Sequence, residues 1–145
     1  MKTENYIKID FPSLSANEAF ARNTAAVFAA QLDPTLDELS DVKTAVSEAV
    51  TNCIVYAYPD AIGKIQLRMR LLDGDVLEIT VRDWGVGIED VARAREPMFT
   101  TGGDERSGMG FSLMEGFMDS VRVRSGVGSG TSVTMKKRIK SKYRR

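Results

Sequence analysis

Between Pro34 and Pro59 the chain carries an apolar stripe with the period of a helix, and no other stretch limits its fold as strongly. Leu36, Leu39, Val42, Val46, Ala49, Val50 and Cys53 return at spacings of three and four, so they share one helix face. An amphipathic helix of this kind must bury its stripe against a second layer. The spacing predicts a helix running to about Tyr56 or Tyr58, because Pro59 disfavours helical backbone in the residue before it. At the start, Asp33 is the expected N-cap, with Pro34 in the first turn and Asp37 and Glu38 favouring the positive helix end.

The second layer is legible as strands. Ile65, Leu67, Met69 and Leu71 alternate with polar residues, Asp73-Gly74 follows, and Leu77, Ile79 and Val81 alternate again, which predicts a β-hairpin. Tyr6 to Phe11 alternates likewise and ends at Pro12. A helix is expected next, with Ser15 and Glu18 as its capping box and Phe20, Thr24, Val27, Phe28 and Gln31 along one side, until Asp33-Pro34 stops it. From Asp83 to Gly110 the chain is glycine-rich and aperiodic apart from a short helix through Glu89 to Arg95; long loops in compact domains are usually functional. A helix carrying Phe111, Met114, Phe117 and Met118 follows, then strands around Val121 to Arg124 and Thr131 to Lys136. The order β-α-α-β-β-loop-α-β-β predicts an α+β, two-layer α/β sandwich: a mixed, mostly antiparallel sheet with helices on one face. One domain over residues 1–145 is expected, with a basic tail from about 136 to 145.

Composition removes several function classes. The 20 basic and 20 acidic residues cancel, so no global field draws in nucleic acid or an anionic membrane. The terminal cluster from Lys136 to Arg145 reads as a solvated tail in preference to a nucleic-acid-binding one. The chain has no histidine, which argues against zinc sites, Ser-His-Asp hydrolysis and any phosphohistidine. Cys53 is the sole cysteine, read as a small core residue of a protein from a reducing compartment. With no apolar signal core and no run of roughly eighteen apolar residues, a cytoplasmic location without membrane contact is expected.

Three polar groupings stand outside the core pattern. Glu48 and Asn52 are four residues apart, so they project from one helix face, roughly a third of a turn from the apolar stripe. The pair reads either as a solvated face or as a proton acceptor beside a neutral oxygen donor suited to Mg²⁺. Asp83-Trp84-Gly85-Val86-Gly87 directly follows a strand; it reads as an ordinary turn, or as a carboxylate placed to accept from an exocyclic amine with glycines that pass close to a flat ring. Ser107-Gly108-Met109-Gly110 leads into a helix, where free N–H groups and the positive helix end suit an anion, with Arg106 alongside.

In this order, and followed by Gly130-Thr131 opening a strand, the groupings resemble the GHKL ATPase superfamily. Gln31 to Thr35, Ser47 to Asn52, Phe99-Thr100-Thr101 and Glu105 to Phe111 narrow the likeness to the anti-sigma F factors of spore-forming bacteria, over nearly the whole chain. The resemblance implies a Bergerat-type fold that binds ATP and Mg²⁺. It implies Glu48 as catalytic base, Asn52 as Mg²⁺ ligand and Asp83 as reader of adenine, with Gly85 and Gly87 beside it and Thr131 supporting the contact. Thr100, Thr101 and the segment Arg106, Ser107, Gly108, Met109, Gly110 would close over the phosphates. The implied activity is that of a protein serine kinase and anti-sigma factor that forms a homodimer, with a sigma factor and an anti-anti-sigma protein, phosphorylated on a serine, as its partners. Arg106 is a candidate for partner contact, and Arg22, off the apolar side of the first helix, is either a sigma contact or a solvated arginine. The rival readings are a histidine kinase, a stress-sigma anti-sigma kinase and a non-catalytic, ATP-gated binding module. Three positions depart from the family pattern: Tyr56-Ala57 replaces His-Gly, Gly102 replaces a common lysine, and Trp84 stands where a polar residue is usual.

Overall fold

The structure, a computed structural model, describes residues 1–96 and 107–140, the side chains of 107–109 excepted. Its elements are β1 (Thr3–Pro12), α1 (Ala16–Ala29), α2 (Leu36–Asn52), β2 (Lys64–Leu72), β3 (Val76–Asp83), α3 (Val91–Ala94), α4 (Ser107–Phe117), β4 (Ser120–Gly126) and β5 (Gly130–Arg138). A 3₁₀ turn, Ala30–Leu32, follows α1, and a π-turn, Cys53–Ala57, extends α2. The strands form one sheet in the order β1-β2-β3-β5-β4. Every described pairing is antiparallel, so the sheet is not mixed as expected. Connectivity explains this. Two helices in succession return the chain to the sheet end it left, so β2 runs back along β1, where a single crossover helix would have made the pair parallel.

The hairpin turn is as the sequence predicts. Asp73 and Gly74 both have positive φ, 54° and 80°, and the Asp75 N–H donates to the Leu72 carbonyl at 3.2 Å. Alternation places Ile65, Leu67, Met69, Ile79, Val81 and Met135 on the helix-facing side of the sheet, all buried. Val42, Ala45, Val46, Ala49 and Val50 of α2 are buried in the same core. Leu36, counted into that stripe from the sequence, is instead 85% exposed.

Three local expectations are corrected. Helix α1 buries Ala21, Ala25, Phe28 and Ala29, whereas Phe20 and Val27 are 56% and 74% exposed. Choosing its face by residue bulk rotated the stripe; the alanines form the tight contact because they let α1 lie close to α2. Ser15 makes no side-chain cap, its backbone being already helical, and Glu18 accepts from the Ser47 hydroxyl of α2 instead. The N-cap of α2 is Thr35, not Asp33. Thr35 Oγ1 accepts from the Glu38 N–H at 3.1 Å while Glu38 accepts from the Thr35 N–H at 2.9 Å, a complete capping box. Asp33 closes the preceding 3₁₀ turn in the left-handed region.

The basic tail begins later than expected, because Lys136 to Arg138 belong to β5. Lys137 Nζ donates to the Phe117 carbonyl at 2.7 Å and lies 3.4 Å from Asp41, and Arg138 pairs with Asp75. Residues 141–145 lie outside the described residues.

On the sheet face away from the helices, the buried Glu78 carboxylate collects cations: Arg70 at 2.7 Å, Arg68 at 3.7 Å and Lys136 at 3.8 Å. Burial pushes its pKa up, but the Arg70 hydrogen bond and the charges of Arg70, Lys136 and Arg68 outweigh burial and hold it below the usual carboxylate range. A carboxylate depressed in the folded state stabilises the protein above its unfolded pKa, and that stability is lost as pH falls through the folded value. Glu78→Gln is therefore expected to cost about 1–3 kcal/mol at about pH 7, with the deficit shrinking in acid. Urea unfolding of both proteins at neutral pH and near about pH 3 checks this; a deficit independent of pH would remove the linkage.

Candidate functional site

Asp83 is the last residue of β3, and alternation after Ile79 and Val81 turns its carboxylate to the helix side, where it is 4% exposed. A charge buried there requires donors. Oδ1 accepts from the Gly85 N–H at 2.9 Å and from the Thr131 N–H at 3.1 Å. Oδ2 accepts from Cys53 Sγ at 3.4 Å. Burial, then the Asp83 charge and hydrogen bond, push the Cys53 thiol pKa well up, so the sulfur keeps its proton at neutral pH and donates. The carboxylate thus ties together β3, the start of β5 and the turn after α2.

The loop after Asp83 is clamped on both sides. The Val86 N–H donates to the Ala57 carbonyl at 3.0 Å and the Gly128 N–H to the Val86 carbonyl at 2.9 Å. Gly85 passes so close to the π-turn that a Cβ there would lie 2.1 Å from the Ala57 carbonyl oxygen. Gly87 has φ +79°, and a Cβ would lie 2.1 Å from the Gly126 carbonyl oxygen. Ser125 completes the clamp, accepting from the Ile88 N–H at 2.7 Å and sharing a 2.7 Å hydrogen bond with the Thr131 hydroxyl. Trp84 stands outside the site, its ring covered by Lys64 at 4.2 Å and Arg82 at 4.5 Å from the centroid. The Tyr58 hydroxyl accepts from the Trp84 N–H at 2.7 Å and donates to the Lys64 carbonyl at 2.6 Å; burial is the main cause raising its pKa.

Glu48 and Asn52 meet the start of α4. A Cβ on Gly110 would lie 3.2 Å from Asn52 Nδ2, 3.4 Å from Asn52 Oδ1 and 3.5 Å from Glu48 Oε2. A larger residue at 110 would press on both side chains. The first turn of α4 carries the helix's unbonded N–H groups and its positive end, so a helix end that suits an anion, a carboxamide and a carboxylate meet in one place.

A cavity of about 520 Å³ joins these features. Asn52, Cys53, Asp83, Gly87 and Thr131 line it, with apolar walls from Val81, Ile88, Phe111 and Val133 among others. Glu48 lies beside the cavity, next to Gly110, without forming its wall. Thr100, Thr101 and Arg106 lie outside the described residues, as do the side chains of Ser107 and Met109. Arg22 is elsewhere. It lines a separate depression of about 410 Å³ with Leu39, Lys43 and Ser47, and its Nε sits 3.8 Å from Glu18, buried and without a hydrogen bond. Among the described residues no three acidic, cysteine or histidine side chains cluster to hold a metal. Asn52 suits Mg²⁺ as one oxygen donor where ligand oxygens and water supply the rest.

The site includes residues that sequence reading passed over. Cys53 was hidden by its place in the apolar stripe, and Ser125 becomes visible only through the pairing Ser125↔Thr131. A buried acceptor with flat apolar walls suits a heterocycle bearing an amine, and a helix N-terminus nearby suits its phosphates.

Comparison with known proteins gives the family and the fold. The family model of the histidine kinase-like ATPase domain matches residues 11–137. The anti-sigma F factor of Caldanaerobacter subterraneus subsp. tengcongensis is 53% identical over 140 residues, covering 96% of this chain and 97% of that one. This chain belongs to the anti-sigma F factor family. The anti-sigma F factor of Geobacillus kaustophilus is 54% identical over 137 residues, 93% of each chain. Among solved structures, the RsbU and RsbW domains of a Mycobacterium tuberculosis protein share the fold with a TM-score of 0.66 at 18% identity, over 93% of this chain and 32% of that one. The histidine kinase domain of a blue-light activated kinase from Erythrobacter litoralis gives 0.58 at 26% identity, over 84% and 60%. The fold is that of a GHKL ATPase. No helix among the described residues is long and apolar enough to cross a membrane.

Because the atom opposing Gly85 is backbone and cannot rotate away, Gly85→Ala is expected to destabilise the protein by about 1–3 kcal/mol. Chemical denaturation measures it; unchanged stability would mean that the loop is not clamped against Ala57.

Proposed function

We propose that this chain is an anti-sigma factor that binds a sporulation sigma factor and uses Mg-ATP to phosphorylate a serine of an anti-anti-sigma protein. The observation that carries the reading is a cavity lined by both Asp83 and Asn52, with Gly110 at the start of α4 set against Asn52 and Glu48. In it, Asp83 Oδ2 accepts from the exocyclic amine of adenine while Val81, Ile88 and Val133 flank the ring. The N–H groups of the first turn of α4 hold phosphate oxygens. Asn52 Oδ1 would hold Mg²⁺, which would offset the charge of the triphosphate. Glu48 takes the proton of the partner's serine hydroxyl as its oxygen bonds to the γ-phosphorus; the bond to the bridging oxygen breaks and ADP leaves.

The chain has no histidine, so a phosphohistidine intermediate would have to sit on another protein. A serine acceptor on the partner accounts for Glu48, since a module that only binds ATP needs no base. From the family resemblance, the 145 residues act as one cytoplasmic ATPase domain that forms a homodimer. Arg22 contacts the sigma factor, and Arg106, with Thr100 and Thr101 at the phosphates, serves both partner and nucleotide.

Two substitutions separate binding from chemistry. Asp83→Asn loses a charge-assisted contact worth roughly 1.5–3 kcal/mol, so calorimetric titration should show ATP affinity falling by about tenfold or more; unchanged affinity would remove Asp83 from the site. Glu48→Gln keeps the shape but cannot take the proton. Phosphate transfer from labelled ATP should fall by roughly 10²–10⁴ with ATP binding nearly intact, and transfer at the wild-type rate would show that Glu48 is not the base.

A further inference from the structure

We infer that Cys53 is a positioning residue of the nucleotide site, whose thiol holds Asp83 Oδ2 in place for one ligand amine and so sets the preference for a 6-amino over a 6-oxo purine. This rests on the ATP-binding reading above.

Asp83 has a limited number of acceptor sites. An ionised carboxylate offers about four acceptor sites, two on each oxygen. Oδ1 of Asp83 is filled by the N–H groups of Gly85 and Thr131 at 2.9 and 3.1 Å. On Oδ2, Cys53 Sγ occupies one more at 3.4 Å. Among the described residues no further donor reaches Asp83, which leaves one acceptor site, and Cys53 and Asp83 both line the cavity where a base would meet it. A ligand that donates there completes the set. One that presents a carbonyl leaves the buried Oδ2 facing a second acceptor, which is unfavourable.

The thiol suits this task in strength and reach. It is a weak donor at a 3.4 Å contact, so Oδ2 stays available as an acceptor for the ligand. Both groups are nearly closed to solvent, Cys53 at 5% and Asp83 at 4% exposure. In the chain, Cys53 directly follows Asn52, so α2 places a phosphate-side ligand and a base-side support on adjacent residues.

The test uses the whole chain with ATP and inosine triphosphate, which replaces the 6-amino group by a 6-oxo group. Cys53→Ala removes the donor, and the ratio of ATP to inosine triphosphate affinity, read by calorimetry, is expected to narrow by about fivefold. Transfer assays should show KM for ATP rising with kcat unchanged. Cys53→Ser restores a donor and should keep the ratio within about twofold of wild type. In an Asp83→Asn background, Cys53→Ala should change the ratio no further. If Cys53→Ala fails to fold by circular dichroism, Cys53→Val keeps the volume without the donor and takes its place. A wild-type ratio in the donor-less variant, or a ratio narrowed equally by Cys53→Ser, would overturn the inference and leave Cys53 as core filling. A wild-type protein that does not prefer ATP at all would overturn the nucleotide reading itself.

Discussion

The structure turns on one buried charge. A carboxylate at 4% exposure is costly unless its oxygens are paired, and Asp83 obtains partners only because separate parts of the chain come together around it. Thr131 brings the start of β5, Gly85 brings the loop after β3, and Cys53 brings the turn after α2. Each donor belongs to a segment that also forms the cavity wall. Satisfying the charge and shaping the pocket are therefore the same event, which is why the loop glycines must allow such close backbone approach.

Helix α2 links that event to the core. Val42, Val46, Ala49 and Val50 bury one face against the sheet, while Glu48 and Asn52 lie on a neighbouring face toward α4. The capping box at Thr35 and Glu38 anchors its start, and the π-turn loosens its end. That wider turn presents Cys53 to Asp83 and the Ala57 carbonyl to the Val86 N–H. A rigid helix thus delivers the polar pair, and an irregular end delivers a donor to the Asp83 carboxylate. The basic side chains of the opposite sheet face are drawn in part to Glu78 and leave this arrangement undisturbed.

Much of this was readable in the residues. The β2–β3 hairpin and the α2 stripe followed from periodicity, since a period depends only on which side of an element is wet. The pairing of Glu48 with Asn52 followed from helical spacing, and the strand-end position of Asp83 from alternation. What escaped depended on packing. The face of α1 is decided by how closely two helices approach, so small Ala21 and Ala25 are buried where bulky Phe20 and Val27 are exposed. Thr35 and Asp33 both have capping chemistry, and the left-handed turn at Asp33 decides between them. Cys53 is core, as its place in the stripe predicts, but periodicity cannot show that its thiol also meets a buried carboxylate.

Phosphoryl transfer to a partner's serine is the central claim, and a direct readout is mass spectrometry of the purified chain incubated with Mg-ATP and its purified anti-anti-sigma protein. The account predicts that the partner gains the mass of one phosphoryl group, mapped by fragmentation to a serine, with ADP formed in equal amount. Tight ATP binding without any phosphoryl gain on the partner would contradict it.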